Sequence, residues 1–310
     1  MIPPPTYMAL LADGRLGQRI AMARERLEAC TLCPRQCTVN RLACKEGVCL
    51  TGEQAIVAGF NGHFGEEAPL VGRHGSGTIF FSFCNLKCRF CQNYEISHDG
   101  EGIEVTDAQL AGIMLQLQEQ GCHNINLVTP SHVVPAILAA VKIAAENGLR
   151  LPLVYNSSGY DSVDTLKLLD GVVDIYMPDV KFADRQIAAE TCDAPDYWEV
   201  AQAALREMHA QVGDLEINAH GIAQRGLLVR HLVLPHDLAN TRTIMRFIAR
   251  HISPRTYVNI MSQYRPCGQA RTVKGLETPL TPEDYASAVE DAHAEGIYRL
   301  EGVDLDDAGG

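Results

Sequence analysis

Phe83-Cys84-Asn85-Leu86-Lys87-Cys88-Arg89-Phe90-Cys91-Gln92-Asn93 decides how the rest of this chain is read. Three cysteines stand at CxxxCxxC spacing, directly after an apolar, strand-like stretch at residues 78–82. Three thiolates this close can wrap one face of a cubane iron–sulfur cluster, whose irons usually take four cysteines. No fourth cysteine follows at local spacing, so one iron is left open to a small ligand. The alternatives are buried structural thiols or zinc, but zinc sites generally pair their cysteines as CxxC knuckles.

The bulk composition sets the frame around that motif. At 310 residues the chain suits one large α/β barrel or two modest domains. Its 46% apolar and 21% charged residues are ordinary for a globular enzyme. A net charge of −12 argues against affinity gained by neutralising phosphates, so nucleic acid is not the expected partner. The start, Met1-Ile2-Pro3-Pro4-Pro5, lacks a basic n-region, and the apolar runs are too short to span a bilayer. No membrane is expected. Eleven cysteines without an export signal point to metal or redox chemistry in a reducing cytoplasm, not to a disulfide framework.

Two textures divide the chain, an N-terminal helix and cysteine-rich segment over 1–77 and a barrel with a C-terminal tail over 78–310. In the first, a helical pattern over 16–29 (Leu16, Ile20, Ala23, Leu27) gives way to the cysteines, and 59–77 reads as irregular Gly-rich loop. In the second, short apolar runs at 78–83, 124–129, 152–157, 172–178, 227–234 and 257–261 are nearly continuous in hydrophobicity, as parallel strands covered on both faces should be. Helical patterns lie between them at 107–120, 133–147, 163–169, 196–211 and 240–251. Thr106 with Gln109 has the form of a capping box, and Gly121 and Gly148 stand where helices should stop. Six alternations imply right-handed βαβ units and a parallel sheet, either open or rolled into an incomplete barrel.

From Cys30 to about Pro266 the chain resembles the radical S-adenosylmethionine (SAM) superfamily, and within it the PflX-like group related to pyruvate formate-lyase activating enzyme. The words that carry the resemblance include Cys30-Thr31-Leu32-Cys33-Pro34-Arg35-Gln36-Cys37, the cluster motif, Met177-Pro178-Asp179-Val180-Lys181-Phe182, Arg230-His231-Leu232-Val233-Leu234-Pro235 and Gln263-Tyr264-Arg265-Pro266. The resemblance implies an α/β fold, a partial (β/α)6 TIM-type barrel with an N-terminal cysteine-rich metal-binding extension. It implies that Cys84, Cys88 and Cys91 ligate a [4Fe-4S] cluster whose open iron chelates SAM. Reductive cleavage of SAM to a 5′-deoxyadenosyl radical and hydrogen abstraction from a substrate would follow, with flavodoxin or ferredoxin as the reductant.

Other cofactor contacts carry over by position. Phe90 matches the aromatic that packs beside the cluster. Where relatives often have Gly-Gly-Glu at the end of the second strand, this chain reads Thr129-Pro130-Ser131-His132, so Thr129 and Ser131 take the place of the glutamate. His132 is also a candidate acid or base, or merely a capping residue. Asp179 and Lys181 lie two apart, on one side of a strand, where related enzymes approach the methionine end of SAM. A structural ion pair is the plainer alternative. Asn156 and Ser158 end the third strand, and Arg230 in the fifth suits a two-pronged grip on a carboxylate. All of these positions fall at the C-terminal ends of strands, where parallel barrels gather their chemistry.

Cys30, Cys33, Cys37, Cys44 and Cys49 offer five candidates for one metal centre, an auxiliary iron–sulfur cluster or zinc. The resemblance selects Cys30, Cys33, Cys37 and Cys49. Cys122, Cys192 and Cys267 read as isolated. Two classes of function remain. One is a radical SAM oxidoreductase that activates a protein partner or modifies a peptide or small metabolite. The other is an iron–sulfur electron carrier that binds no SAM, for which the Asp179/Lys181 pair would have no use.

Overall fold

The computed structural model describes residues 4–43 and 46–302. In chain order the elements are α1 (Tyr7–Ala12), α2 (Arg15–Glu25), β1 (Ala55–His63), α3 (Ala68–Val71), β2 (Ser76–Phe81), β3 (Ile103–Val105), α4 (Asp107–Glu119), β4 (Ile125–Val128), α5 (Val134–Glu146) and β5 (Leu153–Ser157). They continue with α6 (Val163–Leu169), β6 (Ile175–Pro178), α7 (Arg185–Cys192), α8 (Tyr197–Val212), β7 (Glu216–Ile217), β8 (Ala223–Leu232), α9 (Thr241–His251), β9 (Tyr257–Met261) and α10 (Pro282–Ala294).

The six strands read from the sequence are β2, β4, β5, β6, β8 and β9, and they pair in that order, all parallel. Helices cross between most of them, so this is a (β/α)6 sheet curled as a partial barrel. Among the described residues β9 and β2 do not pair, so the barrel is open at that seam. On the β2 side the edge is covered instead by β1, antiparallel, with β3 outside it. The capping box forms at α4, where Thr106 accepts from the Gln109 amide and the Gln109 side chain reaches back. Gly121 and Gly148 follow α4 and α5 with φ +88° and +100°, a conformation that costs any other residue dearly. No described helix is long and apolar enough to cross a membrane.

The sequence reading needs correction in the first 77 residues. Residues 59–77 are not irregular: β1 runs through His63, α3 follows, and β2 has begun by Ser76. Half-buried edge strands carry little hydrophobic signal, and Gly59 and Gly62 break what β1 has. The helix expected over 16–29 stops at Glu25, and α1, α7, α10, β3 and β7 were not anticipated.

Alternation along the strands sorts the barrel interior into two levels. Val154 and Ile175 are cross-strand neighbours in the lower level, and with Met177, Leu228 and the fully buried Leu70 of α3 they form one aliphatic cluster. Above them Phe80, Val128 and Asn156 are cross-strand neighbours, as are Asp179, Arg230 and Asn259. The lower level is a plug of aliphatic side chains, and the upper level turns polar. Outside, α5 is buried along most of its length, with α4 on one side and the N-terminal α2 on another. Thr6 caps the N-terminal arm onto the barrel through Asp174, 3.0 Å away.

Candidate active site

A cavity of about 610 Å³ opens at the C-terminal ends of the parallel strands, within the range that holds a nucleoside-sized ligand. Cys84, Cys88 and Cys91 all face it. The loop that carries them leaves β2 through Phe83 at φ +63° and bends again at Lys87, φ +54°. Neither is glycine, and such backbone is kept only where surroundings over-determine it. Those surroundings are a set of fixed partners. The Phe83 amide donates to the Ile96 carbonyl (2.8 Å), the Arg89 amide to Thr191 (2.9 Å), and the Asn85 side chain to the Tyr160 carbonyl (2.8 Å). Burial pushes the Cys84 thiol up to about 12 and raises Cys91. Cys88 stands well above its ordinary value because of a hydrogen bond with Cys192, with burial adding. Cys192, which reads as isolated in sequence, therefore lies beside the motif, brought there by α7; a separation of more than a hundred residues gives no local signal.

Phe90 is 4% exposed, packs edge-on against Phe182 and Tyr264, and lines the cavity. Thr129, Asn156 and Ser158 line it too. Thr129 holds φ +61° at the end of β4, its amide donating to the Asn156 carbonyl (2.9 Å). Ser131 is not in the cavity. Its hydroxyl donates to Asp161 (2.6 Å), which also accepts from Tyr155 (3.0 Å) and Ser157 (2.5 Å), a buried network behind the wall. His132 is buried as well. Its Nε2 lies 2.9 Å from the Ser82 carbonyl, and burial with nearby Arg41 pulls its pKa down to about 3. It faces the wall of the barrel, not the cavity, and a capping role is also absent, since Val133 is the residue before α5.

Lys181 donates to Asp179 Oδ2 at 2.8 Å, the two side chains side by side as strand periodicity requires. Burial opposes the lysine's charge, but the Asp179 carboxylate outweighs it and raises the pKa. Asp179 Oδ1 and the Ser158 hydroxyl are buried without a partner, and both belong to cavity-lining residues. Buried polar atoms are almost always satisfied, so this pair marks a place for polar ligand atoms.

Arg230 lines the cavity with its fork already engaged. It donates to Glu67 through Nε (2.6 Å) and Nη2 (2.7 Å), and Nη2 also meets Glu66. Asn259 donates to the same Glu67 (2.7 Å). An arginine expected to hold a ligand carboxylate thus holds two of the protein's own. Glu66 and Glu67 were not anticipated, since only the fold shows that the turn before α3 enters the barrel.

The N-terminal cysteines lie away from the cavity. Cys30, Cys33 and Cys49 are buried and Cys37 is half-buried. Cys33 is pushed up to about 12, by burial first, with Cys49, Cys30 and Cys37 near enough to add. A Cβ on Gly47 would lie 2.4 Å from the Cys37 sulfur, so only glycine permits this approach. Gln36, Thr38 and Leu50, each next to one of these cysteines, take positive φ. Cys44 lies outside the described residues. All ten described cysteines are free thiols. Among the described residues no three His, Cys, Asp or Glu side chains meet around one ion-sized point. A cluster spreads its thiolates over separate irons.

A family model described as the radical SAM superfamily matches residues 78–222, the span from β2 to the turn after β7. The chain belongs to the radical SAM superfamily. It is 30% identical, over 283 residues, to "Uncharacterized protein MJ0674" of Methanocaldococcus jannaschii, covering 89% of this chain and 77% of that protein. Among solved structures it aligns with HydG, a maturase of the [FeFe]-hydrogenase, at TM-score 0.48 and 14% identity over 70% of this chain. It aligns with the radical SAM methyltransferase TsrM from Kitasatospora setae at TM-score 0.45 and 15% identity over 77% of this chain. The alignments span about half of those two proteins, 48% and 54%. Membership of the radical SAM superfamily implies a [4Fe-4S] cluster, SAM and a source of electrons. The cavity suits such guests: two buried thiols and a half-buried one line it together with Asp179 and Ser158, which bring unpartnered polar atoms.

Proposed function

We propose that Cys84, Cys88 and Cys91 hold a [4Fe-4S] cluster and that SAM binds beside it, toward Asp179, Lys181 and Ser158. The observation that carries this reading is the meeting of three thiols with the unpartnered Asp179 Oδ1 and Ser158 Oγ in one cavity. When bound and reduced, such a cluster with SAM supplies a 5′-deoxyadenosyl radical able to take a hydrogen atom from a C–H bond. The chain's part is binding, orientation and exclusion. Asp179 Oδ1 accepts hydrogen bonds from the polar end of the ligand, and the Ser158 hydroxyl accepts or donates there. Lys181 holds the Asp179 carboxylate in place through its hydrogen bond to Oδ2, and Phe90 walls the cluster side. The Glu67–Arg230–Asn259 cluster lines the cavity above the aliphatic plug. The segment after β9 crosses the cysteine loop, where the Gln92 side chain donates to the Gln263 carbonyl (2.9 Å) and the Gln269 amide to the Arg89 carbonyl (2.7 Å).

Cys30, Cys33, Cys37 and Cys49 we assign to a second metal centre, its grouping supported by the close approach at Gly47 and the shared burial. Within the superfamily the reading is an oxidoreductase of the PflX-like, activating-enzyme-related group, with a protein or peptide as substrate and a flavodoxin or ferredoxin as reductant. The open seam between β9 and β2 supports a polypeptide guest, and the net charge of −12 disfavours nucleic acid. Deuterium transfer into 5′-deoxyadenosine tests it. Label arriving from a labelled protein or peptide is the expected result. Label arriving only from a metabolite or an RNA base overturns the substrate class and leaves the radical chemistry standing.

A further inference from the structure

Arg41 heads the largest side chains that the fold buries completely, at 2% exposure. Its Nε and Nη2 donate to the Gly52 carbonyl (2.9 and 2.6 Å) and its Nη1 to the His132 carbonyl (2.8 Å). The same Nη1 lies 3.8 Å from the Cys30 sulfur. No carboxylate lies within ion-pairing distance of it among the described residues. A guanidinium does not give up its proton in a protein, and a buried, unbalanced charge is costly. Carbonyl dipoles solvate it but supply no counter-charge. Four neutral thiols supply none either. Four thiolates on a doubly positive [4Fe-4S] core, each on its own iron, form a net dianion, and that would supply counter-charge for the guanidinium beside Cys30.

The same contacts run on to the barrel mouth. Arg41 holds the His132 carbonyl, and the His132 ring lies 2.9 Å from the carbonyl of Ser82, two residues before Cys84. Arg35, in the turn between Cys33 and Cys37, donates to the carbonyls of Asn85 (2.9 Å) and Leu86 (3.1 Å), inside the CxxxC span. It also reaches the Cys192 carbonyl (2.6 Å) and stacks over Tyr160. Arg35 thus grips the loop of the other cysteine triad directly, and Arg41 reaches its start through His132.

We propose that Arg41 is the buried counter-cation of the metal–thiolate centre on Cys30, Cys33, Cys37 and Cys49, and that through Arg41 and Arg35 the order of the 82–91 loop depends on that centre being filled. This rests on the second metal centre assigned above. Arg41 is a positioning residue, not a catalytic one: it touches neither cluster nor substrate in the barrel.

The test uses the full chain with Cys84, Cys88 and Cys91 changed to alanine, so that bound metal reports on the N-terminal centre alone. Metal per chain, its rate of loss to EDTA, and amide hydrogen exchange over 82–91 are measured with and without Arg41→Met. The expected result is metal lost about tenfold faster in Arg41→Met, the size usual for removing a partner just outside the ligands. Exchange over 82–91 should rise when the parent is stripped, and should already be raised in the metal-loaded variant. Arg41→Lys keeps the charge but not the reach to Gly52, His132 and Cys30 together, and should lose metal several-fold faster than the parent. It carries the comparison if Arg41→Met does not fold. Equal retention in parent and variants, with loop exchange unmoved, overturns the proposal while the metal centre stands. A parent without metal overturns both.

Discussion

The two cysteine regions are built alike and finished differently. In each, non-glycine residues with positive φ flank the thiols: Phe83 and Lys87 at the barrel mouth, Gln36, Thr38 and Leu50 in the N-terminal segment. Strain of this kind, of order 1–3 kcal/mol per residue, aims several sulfurs toward one place. The difference lies in what faces them. The mouth thiols look into a cavity with unpartnered polar atoms across it, whereas the N-terminal ones are closed in by Gly47, Leu27, Leu32 and Arg41. Metal sites with an open position tend to do chemistry, and closed ones to hold structure or pass electrons. This difference is what the proposed roles rest on, catalysis at the mouth and support in the N-terminal segment.

The sharpest way to break this assignment is to remove thiols from each region in turn. Cys33→Ala should lower metal per chain and loosen the fold around α2, yet leave a detectable barrel-mouth cluster by Mössbauer spectroscopy. Loss of iron from both regions equally would erase the distinction. Leu70→Ala, beneath the mouth, should cost about 3 kcal/mol in denaturant unfolding, since it empties a space in the aliphatic plug. A similar loss, about 3 kcal/mol, is expected for Lys181→Met, which leaves the Asp179 carboxylate half-buried and unpaired. Lys181→Met with unchanged stability would mean that the pair is only a solvated contact.

Acid probes the wall between the regions. His132 is neutral in the fold, its pKa held near 3 by burial and then Arg41, whereas in the unfolded chain it protonates at its ordinary value of 6.5. Between those values the unfolded state binds more protons, so stability should fall as pH drops below 6.5. The slope contributed is up to about 1.4 kcal/mol per pH unit. Asp161 and Asp174, raised by burial, act in the opposite sense, so the comparison is with His132→Gln, whose stability profile should be flatter by one proton. Identical profiles would show that His132 does not stay neutral. The smallest effect is expected for Ser158→Ala, which removes one ligand-facing hydroxyl and should weaken SAM binding by about 1 kcal/mol.

Most of the barrel was legible in the sequence because buried parallel strands are continuous runs of Val, Ile and Leu, and helices between them carry caps such as Thr106. The edge was not, because β1 is half-exposed and interrupted by glycine. At the site, local spacing was enough for Cys84, Cys88 and Cys91, and strand periodicity for Asp179 with Lys181. Residues that reach the site across the fold escaped: Glu66 and Glu67 enter from below with α3, and Cys192 arrives on α7. Ser131 shows the reverse failure. It follows the cavity-lining Thr129 by two residues, but the turn after β4 points its hydroxyl into the Asp161 network.

The central claim, that the barrel-mouth thiols and not the N-terminal ones serve SAM chemistry, is tested most directly by following 5′-deoxyadenosine. Anaerobically reconstituted protein is mixed with SAM and dithionite. The unaltered chain should form 5′-deoxyadenosine, the variant lacking Cys84, Cys88 and Cys91 should form none, and both should show the same helical content. Product from the triple variant at the rate of the unaltered chain would contradict the account.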